Sequence, residues 1–394
     1  MEKPKILRIT TVPISLKVLL KGQLSHMNQN GFDVVGVSSQ GKDLEDVHKE
    51  EQVRVCSLDM TRKISPIKDI KALWVFYKLC KIEKPLIVHS HTPKAGIIGM
   101  LGAKLAGVPL RLHTIAGLPL LEATGIKRKI LDFVEKFTYS CATKVYPNSV
   151  GLCNFILANN YINKEKTKVI GQGSSNGIDT RFFSPENISD EQKDQLKKEL
   201  NITASDFVFV FVGRLVGDKG INELVQAFSK ISKNADRSKS VKLLLIGPLE
   251  EHLDPLQPET VQEIKNNPDI LDLGFQKDVR PYFAVSDALV FPSYREGFPN
   301  VVMQAGAMGL PSIVSDINGC NEIIVEGQNG MIIPVKNSDK LKAAMEKILS
   351  DTDLYQKLKI NSRPMIQSRY EQSVVWEALL KEYKTLLKEN NIDV

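Results

Sequence analysis

Cysteine is scarce in this chain of 394 residues and follows no pattern. The five thiols, Cys56, Cys80, Cys141, Cys153 and Cys320, are odd in number, scattered and never spaced C-x-x-C. That speaks against a disulfide framework or a thiolate zinc site, and the thiols read as reduced ones of a cytosolic protein. Histidine is scarce as well. The six residues form no i, i+4 ligand pair with a carboxylate, and no D-x-D sits at an expected strand end. Neither a metal nor a resident cofactor is therefore expected. No apolar stretch reaches transmembrane length. The best candidate, Ala95 to Leu110, is interrupted by Lys104 and Pro109. The opening MEKPKILRITTV leads straight into a strand pattern without a signal-type apolar core, so the expected location is cytoplasmic. Repeats and low-complexity tracts are missing. So are helix-turn-helix, RNP and zinc signatures, and basic residues are not interleaved with aromatics. Nucleic acid is not an expected partner.

What is present is ordinary in amount and uneven in distribution. Hydrophobic residues make up 42% and charged residues 25%, as in soluble globular proteins. The length suits two domains, each able to bury a full core. Residues 1–180 hold 26 Lys and Arg against 15 Asp and Glu, a net +11, while the remainder carries −5, giving +6 for the chain. Such an excess suggests that the amino half meets an anionic surface. Its sharpest patch runs from Ala123 to Thr143. Ile126, Ile130, Val134, Phe137 and Cys141 fall there at helical spacing, with Lys127, Arg128, Lys129 and Lys136 alongside. The segment is either an interfacial amphipathic helix or a core helix with a solvated basic face.

Strand and helix patterns alternate along the chain. Lys5 to Thr10, Asp33 to Val37, Leu86 to His89, Leu110 to Thr114 and Lys144 to Tyr146 read as strands of a first parallel sheet. Ser65 to Ile82 and Lys127 to Thr138 read as helices between them. A polar stretch from Gly171 to Asp206 reads as a linker. Further strands are expected at Phe207, Val241, Ile270, Ala288 and Ser312. The fold class is α/β, with two doubly wound, Rossmann-like units in series.

Two segments look chemical. The run from Phe291 to Pro311, FPSYREGFPNVVMQAGAMGLP, reads as strand, polar loop, short helix and stop. Pro299 suits a first helical turn, Asn300 to Met308 a helix, and Gly309 the left-handed position after it. The first helical amides can hold an anion, with Glu296 and Gly297 just upstream and Gln304 one turn beyond Asn300. Such a set suits a nucleotide-linked substrate; equally, it could be a strand–turn–helix connection with incidental polar residues. In the second segment, FVFVFVGRLVGDKG, a continuous apolar run from Phe207 to Val212 precedes a loop flanked by Arg214 and Lys219. A helix follows, with Ile221, Leu224, Val225, Phe228 and Ile231 on one face. Two cations at the end of a parallel strand suit a diphosphate, or form a solvated basic loop. The spacing is not that of a P-loop.

Together the segments resemble the family-4 retaining glycosyltransferases of the GT-B fold. The shared motifs are G-R-x-x-x-x-K-G at Gly213 to Gly220, Gly274-Phe275 with Asp278, and P-S-x-x-E-G-F at Pro292 to Phe298. They span the carboxyl half in the family's order. The amino half is similar, more loosely, to the capsule and lipid-linked-glycan branch through HSHTPKAGIIG, TIAGLPL and YPNSVGLCNFI. The resemblance implies a first domain of residues 1–172 that binds the acceptor, with a terminal helix, 375–394, returning to it. A second domain, 173–374, would bind a sugar nucleotide. It implies retaining transfer of a hexose or N-acetylhexosamine, with UDP the expected carrier, to a glycan or polyprenyl-linked acceptor in surface polysaccharide assembly. Arg214, Lys219 and the amides of Asn300 and Val301 would meet the diphosphate, within a frame of Gly213, Gly297 and Phe298. Glu296 would hold the donor sugar's hydroxyls, or merely cap the following helix. Lys277 and Val279 would lie near the base. Pro147 to Ser149 either approaches the cleft or is a plain turn.

Two positions depart from the family pattern. The second Glu of the E-x7-E pair is Gln304, whose amide can still bond a ribose. The histidine before the glycine of T-x-x-G is Ala116, and His113, three residues earlier, would face the other way on a strand. A sugar-nucleotide epimerase lacks the paired motifs. A decayed, non-catalytic sugar-nucleotide binder is the remaining alternative, against which the intact Arg214, Lys219 and Glu296 set speaks.

Overall fold

The computed structural model describes residues 3–61, 65–118, 120, 123–233, 240–250, 252 and 254–392; Pro119 of the TIAGLPL segment lies outside them. The chain forms two compact units, Met1–Gly177 with Ser373–Val394, and Ile178–Gln372.

The first unit opens with β1 (Lys5–Ile9), α1 (Pro13–Leu19), α2 (Gln23–Gln29), β2 (Asp33–Ser38), α3 (Lys42–Glu51) and β3 (Arg54–Ser57). Next come α4 (Pro66–Glu83), β4 (Ile87–His91), α5 (Pro93–Ala106), β5 (Leu110–Ile115), α6 (Gly125–Cys141), β6 (Lys144–Pro147) and α7 (Val150–Ala158). The sheet is parallel in the order β3-β2-β1-β4-β5-β6. Separate cores cover its two faces. Ile6 lies in one and Leu7 and Ile9 in the other, as the two-residue period of a strand requires.

The second unit contains α8 (Asp190–Glu199), β7 (Phe207–Val212), α9 (Ile221–Ser232), β8 (Val241–Ile246), α10 (Pro258–Asn266), β9 (Ile270–Asp272) and α11 (Arg280–Ala284). It continues with β10 (Ala288–Phe291), α12 (Asn300–Ala307), β11 (Ser312–Ser315), α13 (Cys320–Ile323), β12 (Gly330–Ile333), α14 (Ser338–Ser350) and α15 (Thr352–Tyr370). This sheet is also parallel, in the order β12-β11-β10-β7-β8-β9. The last helix, α16 (Gln372–Glu389), packs from Ser373 onward with the first unit. Val375, Leu379, Leu380 and Tyr383 are buried along it.

In β7, Phe207, Phe209 and Phe211 are all buried, each contributing about 1.5–3 kcal/mol. The helical face expected of α9 is buried throughout. The order of this sheet turns back at β7 and β10, which are neighbours although distant in sequence. Open parallel sheets bind ligands at the carboxyl ends of the strands at such a reversal.

Several expectations shift. The chain passes between units at Gly177–Ile178 and Gln372–Ser373 rather than at 172/173 and 374/375. Ile178 N–H donates to Tyr370 O at 2.8 Å and Gln372 N–H to Ile178 O at 3.1 Å, which ties the two crossings together. The polar stretch read as a linker contains α8, held by a capping box of Ser189 and Gln192. Pro299 is the extended N-cap of α12 rather than its first residue, while Gly309 has the expected positive φ of 85°. The stripe expected along α6 divides. Cys141 is buried and Val134 and Phe137 are half-buried, whereas Ile126 and Ile130 face outward, as does Phe133 beside them.

Candidate functional site

The site of the second unit is built where the loops after β7 and β10 meet. Gly220, with φ 72°, ends the first loop; a Cβ there would lie 2.1 Å from Pro292 O, so only glycine permits this approach. The second loop is then fastened to the first. Tyr294 N–H donates to Asp218 O at 2.8 Å, and Arg295 Nη2 reaches Asp218 Oδ2 at 2.7 Å. Beneath them, Tyr294 OH donates to the Glu223 carboxylate at 2.8 Å from both oxygens. Burial, reinforced by Glu223, raises the Tyr294 pKa and keeps it protonated.

This stitching sets Lys219 Nζ 2.5 Å from Glu296 Oε1. Both side chains are mostly covered, with 15% and 18% exposure. Ser293 Oγ donates to the same carboxylate oxygen at 3.2 Å. From the far side Asn318 Nδ2 donates to Gly297 O at 2.5 Å and Glu296 O at 3.2 Å. Gly319, with φ 76°, brings its backbone so close that a Cβ would sit 2.6 Å from Gly297 O. Burial pushes the nearby Cys320 thiol well up, with Glu296 adding to the effect, so it stays protonated and inert.

Beside this cradle lies a cavity of about 590 Å³. Gly213, Arg214, Lys277, Val279 and Gln304 line it, together with Phe182 and Phe275. Phe275 is 74% exposed at the rim, and Arg280 stacks on the Phe182 ring at 3.7 Å. The structure thus gathers five of the sequence-chosen residues on one wall. Lys219, Glu296, Gly297, Phe298, Asn300 and Val301 form the adjoining loop and helix start instead. Helix α12 has no side-chain cap, which leaves its first amides to other acceptors.

The two cations are not bare. Arg214 Nη1 pairs with Glu250 Oε2 at 3.3 Å, half-exposed, an ion pair of the kind worth at most about 1 kcal/mol and readily exchanged for another anion. Glu250, Asn318, Asp218 and the Glu223–Tyr294 pair were not singled out from the sequence, because their partners lie far away along the chain; Ser293 was read only as a motif residue, without its bond to Glu296.

In the first unit the expected histidine position, Ala116, is exposed just beyond β5. His113 points inward, with Nδ1 2.8 Å from Ser90 Oγ, and burial lowers its pKa to about 4. It is a core residue. Ser149 caps α7 by accepting from Leu152 N–H at 3.1 Å, so the Pro147–Ser149 segment serves as a turn and helix start. Among the described residues, no group of three or more His, Cys, Asp or Glu is placed to hold a metal ion, and no helix is long and apolar enough to cross a membrane.

Known proteins resemble this chain in sequence and fold. The family model "Glycosyl transferases group 1" matches residues 192–365, and "Glycosyl transferase 4-like domain" matches residues 20–173. The capsular polysaccharide biosynthesis glycosyltransferase CapM of Staphylococcus aureus is 34% identical over 390 residues, 99% of both chains. The chain belongs to the family-4 glycosyltransferases. A second relative of this glycosyltransferase is the Escherichia coli UDP-Gal:alpha-D-GlcNAc-diphosphoundecaprenol alpha-1,3-galactosyltransferase. It is 33% identical over 74% of this chain and 73% of its own. The crystal structure of Anabaena Alr3699/HepE in complex with UDP matches with a TM-score of 0.76 at 18% identity, covering 97% of this chain and 100% of that one. The fold is that of the GT-B glycosyltransferases, two parallel-sheet units in series. Within this glycosyltransferase, the cavity at Arg214 and the Lys219–Glu296 pair occupy the carboxyl ends of β7 and β10, where open parallel sheets bind ligands.

Proposed function

We propose that this glycosyltransferase moves a hexose or N-acetylhexosamine from a UDP-sugar to a polyprenyl-linked glycan, with retention of anomeric configuration, in surface polysaccharide assembly. The observation that carries the reading is the 590 Å³ cavity lined by Arg214, whose loop also carries Lys219 in its pair with Glu296. A nucleoside diphosphate fits its order of chemistry. The base would lie against Lys277 and Val279, and the ribose at Gln304. The diphosphate would meet Arg214 and the amides of Asn300 and Val301, displacing Glu250 from Arg214. Glu296 would accept from hydroxyls of the transferred sugar. The names of the S. aureus and E. coli relatives, which speak of capsular polysaccharide and of a diphosphoundecaprenol acceptor, support the acceptor class.

In the transfer, the bond from sugar C1 to the β-phosphate oxygen breaks, and the acceptor hydroxyl forms its bond to C1 on the same face. The hydroxyl proton passes to the departing phosphate oxygen. Negative charge grows on the diphosphate, where charge-assisted hydrogen bonds contribute about 1.5–3 kcal/mol each. Lys219 serves both sides, fixing Glu296 and adding positive potential. The basic first unit would meet the anionic membrane that carries such an acceptor.

A thermal-shift panel of UDP, GDP, ADP and their sugars tests the reading. UDP and at least one UDP-sugar should raise the melting temperature. A rise with GDP or ADP alone would overturn the base assignment, and no rise with any of them would overturn the donor site.

A further inference from the structure

Six solvent-facing apolar residues of the first unit fall in two rows, apart from others such as Ile82 and Leu105 at the far ends of α4 and α5. Ile67, Ile70 and Trp74 follow one another at i, i+3 and i+7 in the first half of α4, with exposures of 85%, 68% and 57%. Ile126, Ile130 and Phe133 form a like row at i, i+4 and i+7 in the first half of α6, at 78%, 50% and 69%. Each helix buries its opposite face, through Phe76 and Cys80 in α4 and Glu135, Thr138 and Tyr139 in α6. The outward rows are therefore surplus to the core. Isolated exposed apolar residues are normal; two rows of three are not.

The topology brings the rows to one place. Both α4 and α6 pack against α5, on the same side of the sheet. Each connects parallel strands, so each helix begins at the sheet's carboxyl end and runs back. The starts of α4 and α5 are pinned together by Lys94 Nζ and Asp69 Oδ1 at 2.8 Å. The start of α6 is pinned to the loop leaving β5 by Arg128 Nη1 donating to Leu120 O at 3.0 Å. Both apolar rows thus lie toward the end of the unit where open parallel sheets bind ligands.

Lysines border both rows: Lys68 and Lys71 on α4, Lys127 and Lys129 on α6, all exposed. Trp74 stacks on Tyr77 at 5.1 Å with Lys78 over its ring at 5.4 Å, an apolar body with cationic edges. Tryptophan and lysine in this association favour the membrane–water interface. We propose that α4 and α6 together form a bilayer-inserting face, on which the first unit sits in an anionic phospholipid membrane. A second copy of the chain is the poorer occupant, because it would set lysine rows against lysine rows. The proposal rests on the lipid-linked acceptor reading for its purpose, but its surface stands independently of any donor. It goes beyond a basic α6 by assigning insertion, and by assigning half of it to α4.

The experiment is co-sedimentation of the full chain with phosphatidylglycerol vesicles and with phosphatidylcholine vesicles, together with quenching of tryptophan emission by brominated acyl chains. The chain has only two tryptophans, and the other, Trp376, donates its ring N–H to Asn176 Oδ1 at 2.7 Å within the unit. Wild type should bind phosphatidylglycerol and be quenched. Trp74→Phe should still bind but lose the quenching. The pairs Ile70→Ser/Trp74→Ser and Ile126→Ser/Phe133→Ser should each lower partitioning by about tenfold or more, with unchanged melting temperature because the side chains face solvent. Unquenched Trp74 in bound protein, or wild-type binding by the α4 pair, would overturn the proposal. So would a concentration-dependent dimer that the α4 pair abolishes in sedimentation. Vesicle binding needs no sugar nucleotide, so its failure is separate from failure of the transfer reading.

Discussion

Lys219 Nζ and Glu296 Oε1 lie 2.5 Å apart, although 77 residues separate them in the chain. The contact joins the loop after β7 to the loop after β10. Each charge is mostly covered, so each depends on the other and on Ser293 for solvation. The pair is best understood as one element, a carboxylate whose position is set by a cation that, in the proposed site, would face the diphosphate.

Lys219→Met and Glu296→Gln should therefore behave as one lesion. Each should lower kcat on the order of 100-fold, and the double variant should be scarcely worse than either. Steady-state kinetics of the three variants provide the check. Additive losses would separate the residues functionally.

Gln304 lines the cavity from α12, and in the proposed site its amide would meet the ribose. Gln304→Glu should keep or strengthen UDP affinity, since a carboxylate accepts more strongly from hydroxyls. Calorimetric titration with UDP measures this. Loss of binding in a folded variant would move the ribose elsewhere.

Transfer should not require a divalent ion. Arg214, Lys219 and the amides at the start of α12 are offered to the charge that a metal would otherwise meet. Activity should persist in EDTA; abolition by EDTA with restoration by magnesium or manganese would contradict this.

Acid should weaken the first unit through its buried histidines. Burial holds the His113 pKa at about 4, against 6.5 for the free side chain. The unfolded chain takes up that proton near its ordinary value and the folded chain does not, so stability is complete above about pH 6.5 and declines as pH falls toward 4. His89 and His91 shift in the same direction, burial again being the main cause, with Arg8 and neighbouring histidines adding to it. The loss is on the order of a few kcal/mol for His113 alone. Urea midpoints measured from about pH 7 to about pH 5 should fall, and His113→Gln should flatten the slope. A flat wild-type profile would mean that the folded core accepts the proton.

Apolar periodicity made the strands beside the site legible. Phe207–Val212 and Val241–Ile246 are long, continuous apolar runs, and the glycine and proline punctuation around α12 marks its ends. Short strands such as β12, Gly330–Ile333, gave too few residues for a period. Helix α8 buries no residue, so only its Ser189–Gln192 capping box could have announced it. At the site, the motif glycines and charges were readable because they are local. Glu250 against Arg214 and Asn318 under Gly297 were not, because tertiary folding alone brings them together. The outward row of α4 went unread, and the stripe of α6 stayed open between core and interface, for a related reason. An apolar residue at helical spacing looks the same whether it faces a core or a lipid.

The most direct measurement pairs product and by-product in one reaction. The protein is incubated with the UDP-sugar of greatest thermal shift and a polyprenyl-diphosphate-linked sugar, and both UDP and lipid product are quantified by mass spectrometry. The new linkage is then assigned by NMR. The account predicts equimolar UDP and a lipid one sugar heavier, with the donor's anomeric configuration preserved. No turnover with any nucleoside-diphosphate sugar, or an inverted linkage, would contradict it.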